Sequence, residues 1–204
     1  EKGLGSTLGH LALVLGFGAM LGKLLADSGA SDRIASAILN RSSRRGLPWL
    51  VAAAAFIIGI PMFFEVGLIM LLPLIFTVSR RLEQQGGVKG SPYILVGVPV
   101  IAALASMHGM VPPHPGPLTA IAAFKADLGM TMVYGFICAI PAIILAGPVY
   151  TKFIAPRMTV RPDQDLLDQY TTESTSEETK QPISFFTALL ATLLPAVIML
   201  FRAL

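Results

Sequence analysis

Charged side chains are scarce in this chain of 204 residues, with Asp, Glu, Lys and Arg making up 13% against about 25% in soluble domains. Beside an apolar share of 54%, that shortage excludes an ordinary water-soluble domain and points to a bilayer. The net charge of +3 comes from Lys and Arg in loops next to apolar runs. No basic patch with interleaved aromatics accompanies it, so nucleic acid is not an expected partner and the charge reads as topology. Cysteine is nearly missing. The lone Cys138 rules out a disulfide framework and a thiolate metal cluster, and inside an apolar span it is expected to pack. Aromatics stand at 8%, and His10, Trp49, Tyr93 and Tyr134 are expected to serve as packing groups or interface anchors. Acid is absent from the interior of the long apolar runs except at Glu65.

Glycine and proline are not scarce, at 19 and 15 residues. Membrane helices tolerate both where neighbours or a cavity satisfy the freed backbone groups, so broken helices are expected. A first span is expected from Leu8 to Ala26, with Gly9, Gly16, Gly18 and Gly22 as a small-residue stripe and Lys23 snorkelling. A short interfacial helix follows at Ser31 to Leu39, capped by Ser31. Arg33, Arg41, Arg44 and Arg45 mark that side as cytoplasmic.

The stretch from Leu47 to Ser79 is too long for one crossing. As a straight helix it would measure about 50 Å against about 30 Å of hydrocarbon. Split at Ile60-Pro61-Met62-Phe63-Phe64-Glu65-Val66-Gly67, it gives two arms of about 14 residues, each about 21 Å and too short to span. Arg80, Arg81 and Lys89 follow, so positive charge flanks both ends, and a re-entrant helical hairpin satisfies length and charge together. The competing reading is a long tilted span, or two compressed ones; Pro73 is expected to disturb the second arm.

From Pro92 to Asp127 an apolar arm leads into His108-Gly109-Met110-Val111-Pro112-Pro113-His114-Pro115-Gly116 and then a shorter arm that begins at Pro117. Three prolines and two glycines in that run are expected to unwind the helix from His108 to Gly116. Such a break at membrane depth belongs in protein or against a wet cavity. A further span, Met130 to Tyr150, returns the chain to Lys152, Arg157 and Arg161. Residues 1–161 thus read as a membrane domain, 162–182 as a flexible acidic cytoplasmic loop, and 183–204 as the start of another membrane unit. The chain begins without Met and stops inside an apolar run, as expected of a fragment.

Several residues are candidates for chemistry, each with a plainer alternative. Glu65 is a candidate proton carrier, because burial at membrane depth favours the neutral form of an acid; equally, it complements the dipole of the second arm. His108 and His114 are candidate proton shuttles or hydrogen-bonded groups that fix the loop. A metal needs more ligands than these three residues supply, so no metal and no cofactor are expected. The half-helix after the break offers the Leu118 and Thr119 amides to an anion such as a carboxylate. The Thr119 hydroxyl either binds a polyol oxygen or bonds back to the preceding turn. Lys125 is expected to snorkel. Ser106 beside His108 lacks an orienting acid, so an enzyme is not expected.

Three motifs in order, Gly16 to Ala30, Ile60 to Gly67, and His108-Gly109 followed by Pro112 to Pro117, resemble the gluconate permease family over essentially the whole chain. The resemblance implies a multi-pass protein of the bacterial inner membrane that carries gluconate or related sugar acids with protons, some relatives taking D-serine. It also implies about twice this length and an architecture of inverted repeats with re-entrant hairpins and unwound helices. The expected fold is therefore an all-α polytopic bundle with a re-entrant hairpin and a discontinuous helix, one repeat of such a transporter. In the resulting reading, Pro61, Phe64, Gly109, Pro113, Gly116, Leu118 and Thr119 line the substrate path. Glu65, His108 and His114 handle the proton. The partners are a gluconate-like carboxylate, protons and membrane lipid; homo-oligomerisation stays open. The rival from another class is a passive channel.

Overall fold

The computed structural model describes residues 45–165, 167 and 183–203, with scattered positions between 5 and 37. Most of the expected first span and of the interfacial helix, together with His10 and most of the acidic loop, lie outside these residues. Among the described residues all regular structure is helical. Helix α1 covers Leu47–Gly59, α2 Phe64–Gln85, α3 Pro92–Met110, α4 Pro115–Phe124 and α5 Leu128–Ile144. A π-turn at Leu145–Val149, a short α6 at Tyr150–Ile154 and a 3-10 turn at Ala155–Arg157 continue α5. Helix α7 covers Phe185–Ala203. Two segments, Pro92–Phe124 of 33 residues and Leu128–Arg157 of 30, are long and apolar enough to cross a membrane.

Prolines set most of these boundaries. Pro48 and Pro92 stand in first turns, where a missing N–H costs nothing. Pro61 follows α1, where its missing N–H and its ring weaken any continuation of the helical ladder. Pro148 sits inside a helix, and the wider π-turn around it makes room for the ring. Ser91 and Asp127 start α3 and α5 by accepting from the Ile94 and Met130 N–H groups at 3.3 and 2.7 Å, as N-cap residues do.

The chain doubles back between α1 and α2. Gly59 faces Leu104 and Met107 of α3, and Gly67 faces the same Leu104. Further along, the Ser79 hydroxyl donates to the Pro92 carbonyl at 3.2 Å, and the Tyr93 hydroxyl donates to Glu83 at 3.1 Å. Thus α2 runs antiparallel to α3. Helix α1 runs the other way, since Pro48 and Trp49 gather with Lys89 and Leu95 around one cavity. Both arms pack on α3 more than on each other. The second arm is longer than the sequence reading expects, reaching Gln85 instead of Ser79. Arg80 to Gln85 are mostly good helix formers, and the first stop is Gly86 at φ 65. Pro73 does not end the helix.

Polar links collect at the end where α2 finishes and α3 begins. Glu83 pairs with Arg161 at 3.3 Å, and the Ser91 hydroxyl donates to the Val160 carbonyl at 2.5 Å. At the other end of α3, α5 approaches through Gly135, which sits against the Met110 carbonyl so closely that an added Cβ would collide with it. Helix α5 turns Gly129, Met132, Gly135, Ala139 and Ile143 inward. Cys138 lies off that stripe, on the exposed side of α5.

Lipid tails are as apolar as leucine, so close contact between small residues supplies much of the attraction between such helices. Gly135→Ala should therefore destabilise the protein by about 1–3 kcal/mol, because the backbone opposite cannot yield. Gly67→Ala should cost less, since it meets the swinging end of Leu104. Thermal unfolding of the full-length parent in detergent compares the two; equal losses would contradict this packing.

Candidate functional site

Two helix breaks meet at the far end of the α1–α2 hairpin. The first lies between α1 and α2, where Pro61 and Met62 are buried and Phe63 is extended at φ −62, ψ 151 to begin α2. The second lies between α3 and α4. Val111 is extended at φ −115, ψ 123, as expected for a residue before proline, and the Pro112–Pro113 peptide is cis. His114 is the N-cap of α4. The break is shorter than the sequence reading expects. His108 and Gly109 remain in α3, and α4 starts at Pro115 instead of Pro117. A proline disturbs the residue just before it and the carbonyl four back, so residues ahead of Val111 keep their helix.

Two histidines bridge the breaks. The Phe64 N–H, one of the free donors in the first turn of α2, donates to Nδ1 of His108 at 3.3 Å. His114 is 2% exposed. Its Nδ1 lies 2.7 Å from the Val111 carbonyl oxygen and its Nε2 lies 2.9 Å from the Met62 carbonyl oxygen. The Phe63 ring stands edge-on to both imidazoles, with centroids at 6.3 Å from His108 and 6.2 Å from His114. The two imidazole centroids are 5.2 Å apart. Phe64 adds a further ring 6.5 Å from His108. Every residue of this contact comes from a segment that proline keeps out of the helical ladder or from the helix turn beside it.

The remaining candidates divide. Glu65 occupies the first turn of α2 and is exposed, the position in which an acid complements a helix dipole. Beside it, the Glu65 and Val66 amides have no acceptor among the described residues. The Leu118 amide, read from sequence as an anion donor, instead donates to the His114 carbonyl at 3.1 Å. The Thr119 hydroxyl bonds back to the Pro115 carbonyl at 2.7 Å, the plainer of its two readings. Pro115 and Pro117 own no N–H, which leaves Gly116 alone to offer a free amide at the start of α4. Gly109 and Gly116 are exposed and Pro113 is half-buried. Lys125 ends α4 in the left-handed region at φ 53. Among the described residues no three His, Cys, Asp or Glu side chains are grouped to hold a metal ion.

Sequence reasoning missed three participants: the Met62 carbonyl, the Val111 carbonyl and the Phe63 ring. Phe63 lies inside the motif around Pro61 and was legible as an aromatic beside a break. Backbone carbonyls carry no residue-type signal, and only the fold brings them to one ring.

Comparison with known proteins identifies the family. Residues 1–204 match the profile described as GntP family permease. The chain is 47% identical over 153 residues to a gluconate permease of Bacillus subtilis (strain 168), covering 75% of this chain and 33% of that one. It is 41% identical over 202 residues to a gluconate permease of Pseudomonas aeruginosa, covering 99% and 43%. It is 40% identical over 203 residues to the Gnt-II system L-idonate transporter of Escherichia coli (strain K12), covering 100% and 43%. The chain thus spans less than half the length of these relatives. No solved structure matches it. With apolar segments long enough to cross a membrane and a full-length match to the profile, the chain belongs to the GntP family of permeases.

Proposed function

We propose that this chain supplies one wall of a proton-coupled carrier that takes up gluconate or a related sugar acid across the bacterial inner membrane. The observation that carries the reading is the contact of two helix breaks through His108 and His114, in a family whose relatives are named gluconate permease and L-idonate transporter. Carriers built from broken helices place their sites where such breaks meet near the bilayer midplane.

The basic residues support a topology. Arg45, Lys89 and Lys152 line one cavity, and Arg80, Arg81, Arg157 and Arg161 lie near the same end of the bundle, which is taken as cytoplasmic. The hairpin then enters and leaves on that side as a re-entrant element. Its tip faces Leu104 to His108 of α3, about 18–24 Å along the helix from Pro92, within about 30 Å of hydrocarbon.

In the proposed cycle the substrate carboxylate rests on the free amides of Glu65 and Val66 at the start of α2, joined by the Gly116 amide across the gap. The Glu65 carboxylate beside those amides repels the incoming carboxylate and so weakens substrate binding there.

Proteoliposome uptake by the full-length parent tests this reading. Labelled gluconate should accumulate under an inward proton gradient and drain when an uncoupler is added; entry that never exceeds equilibrium would identify a passive channel instead. Competition with unlabelled L-idonate and D-serine sorts the substrate class. Glu65→Gln should lower KM for gluconate by roughly fivefold, the order of one close charge repulsion near water. An unchanged KM would remove Glu65 from the site.

His108→Ala should cut the uptake rate about tenfold, because the Phe64 N–H loses its acceptor in a partly buried place. His108→Asn, which keeps an acceptor, should recover part of it. Thr119→Val should change KM less than about threefold, its hydroxyl being held by the Pro115 carbonyl. A larger effect at Thr119 than at His108 would reverse the assignment of these groups.

A further inference from the structure

A neutral imidazole has one N–H and one bare nitrogen. Both nitrogens of His114 face carbonyl oxygens, at 2.7 Å from Val111 and 2.9 Å from Met62. Carbonyls only accept, so a neutral ring satisfies one of these contacts and sets two lone pairs against each other in the second. Only the doubly protonated ring donates to both. The two oxygens come from different breaks: Val111 follows α3, and Met62 closes the hairpin tip. Each break lies between the carbonyl end of one helix and the N–H end of the next, so the helix dipoles oppose one another there and the two carbonyl acceptors carry the argument.

We infer that His114 is a proton-operated latch, in which the imidazolium ties the hairpin tip to the break in α3 and loss of its proton frees the tip to move. The inference deepens the proton-coupled reading proposed above and rests on it. Binding adds one proton from water to the bare ring nitrogen and breaks no covalent bond; release returns that proton to water. A buried cation is tolerated only while both acceptors stay in place. Withdrawing the tip therefore expels the proton, and losing the proton loosens the tip. This reciprocity is what coupling between a proton site and a moving element requires.

The groups around the ring fit this assignment. From α3, His108 lies 5.2 Å away between centroids and engages the Phe64 N–H through Nδ1. From the tip, Phe63 presents an uncharged edge, and Glu65 is exposed two residues further on. Helix α5 brings Gly135 against Met110 and Val111. Helix α4 begins with Pro115, and its Thr119 hydroxyl is held internally.

Hydrogen exchange on the full-length parent in nanodiscs, corrected for the intrinsic pH dependence of amides, tests the latch on unmodified protein. Protection of a peptide covering residues 60–67 should fall about tenfold between about pH 5 and 8, while a peptide from the first half of α3 stays constant. His114→Gln should abolish the pH dependence at the tip. A flat profile in the unmodified protein overturns the latch, as does an unaltered profile in His114→Gln. The unmodified-protein arm decides the matter even if the variant misfolds. Proton uptake measured with a pH dye during gluconate entry keeps the two readings apart. Entry without proton movement sinks the coupling itself, whereas proton movement with a pH-independent tip sinks the latch alone.

Discussion

Backbone groups that leave a helix need partners, and in hydrocarbon those partners must be protein. Prolines open this chain at two places, after α1 and after α3, and each opening strands donors or acceptors. The two openings answer one another. The Phe64 N–H finds His108, and the Met62 and Val111 carbonyls find His114. The rest of the arrangement serves that meeting. Gly59 and Gly67 let both hairpin arms close on Leu104, so the tip arrives level with the end of α3. Gly135 lets α5 press on Met110 from another side. The far ends of the arms are held by polar links among Glu83, Tyr93, Arg161, Ser91 and Val160, where water and basic side chains are available.

Much of this organisation is legible in the residues because its causes are local. Helical rise compared with bilayer thickness disqualifies Leu47 to Ser79 as one straight crossing. Pro61 and the run from Pro112 to Pro115 mark the interruptions, although Pro73, Pro99 and Pro141 stand inside continuous helices, so a lone proline does not by itself define a break. Boundaries are less legible. The reading placed His108 and Gly109 in the break, yet a proline acts on its own neighbourhood and α3 persists through Met110. The second arm outran Ser79 because apolarity, which marks where a helix is buried, does not mark where a helix ends. Whether a hydroxyl or an amide is free also depends on helix start: once α4 begins at Pro115, Thr119 and Leu118 have partners one turn back. Least legible of all were the acceptors on His114, because a carbonyl belongs to every residue type.

Location within the GntP family and the geometry of the breaks bear on different questions. The family assignment says what sort of protein contains this chain. It does not say which groups move a proton, and the relatives' names extend over chains more than twice as long. The geometry is narrower and more specific. It separates three titratable candidates that the residue pattern leaves equivalent: Glu65 is exposed at a helix start, His108 accepts from a helix start, and His114 faces two acceptors while buried.

The two histidines do opposite work, and that difference constrains any coupled cycle. His108 accepts the Phe64 N–H through a bare Nδ1. His114 holds both carbonyls only while each of its nitrogens carries one. Two imidazoles with centroids 5.2 Å apart also repel each other when both are charged. In the proposed latch, the state with His114 charged and Nδ1 of His108 bare satisfies the contacts of both rings at once and places a single charge in the pair. In that state the tip is fastened at two points, from the start of α2 by His108 and from Met62 by His114. Moving the proton from His114 to His108 breaks a fastening on each ring. Under the latch proposed above, a proton on His114 closes the hairpin and its loss opens it, so the order in which protons reach these rings would set the direction in which the tip moves.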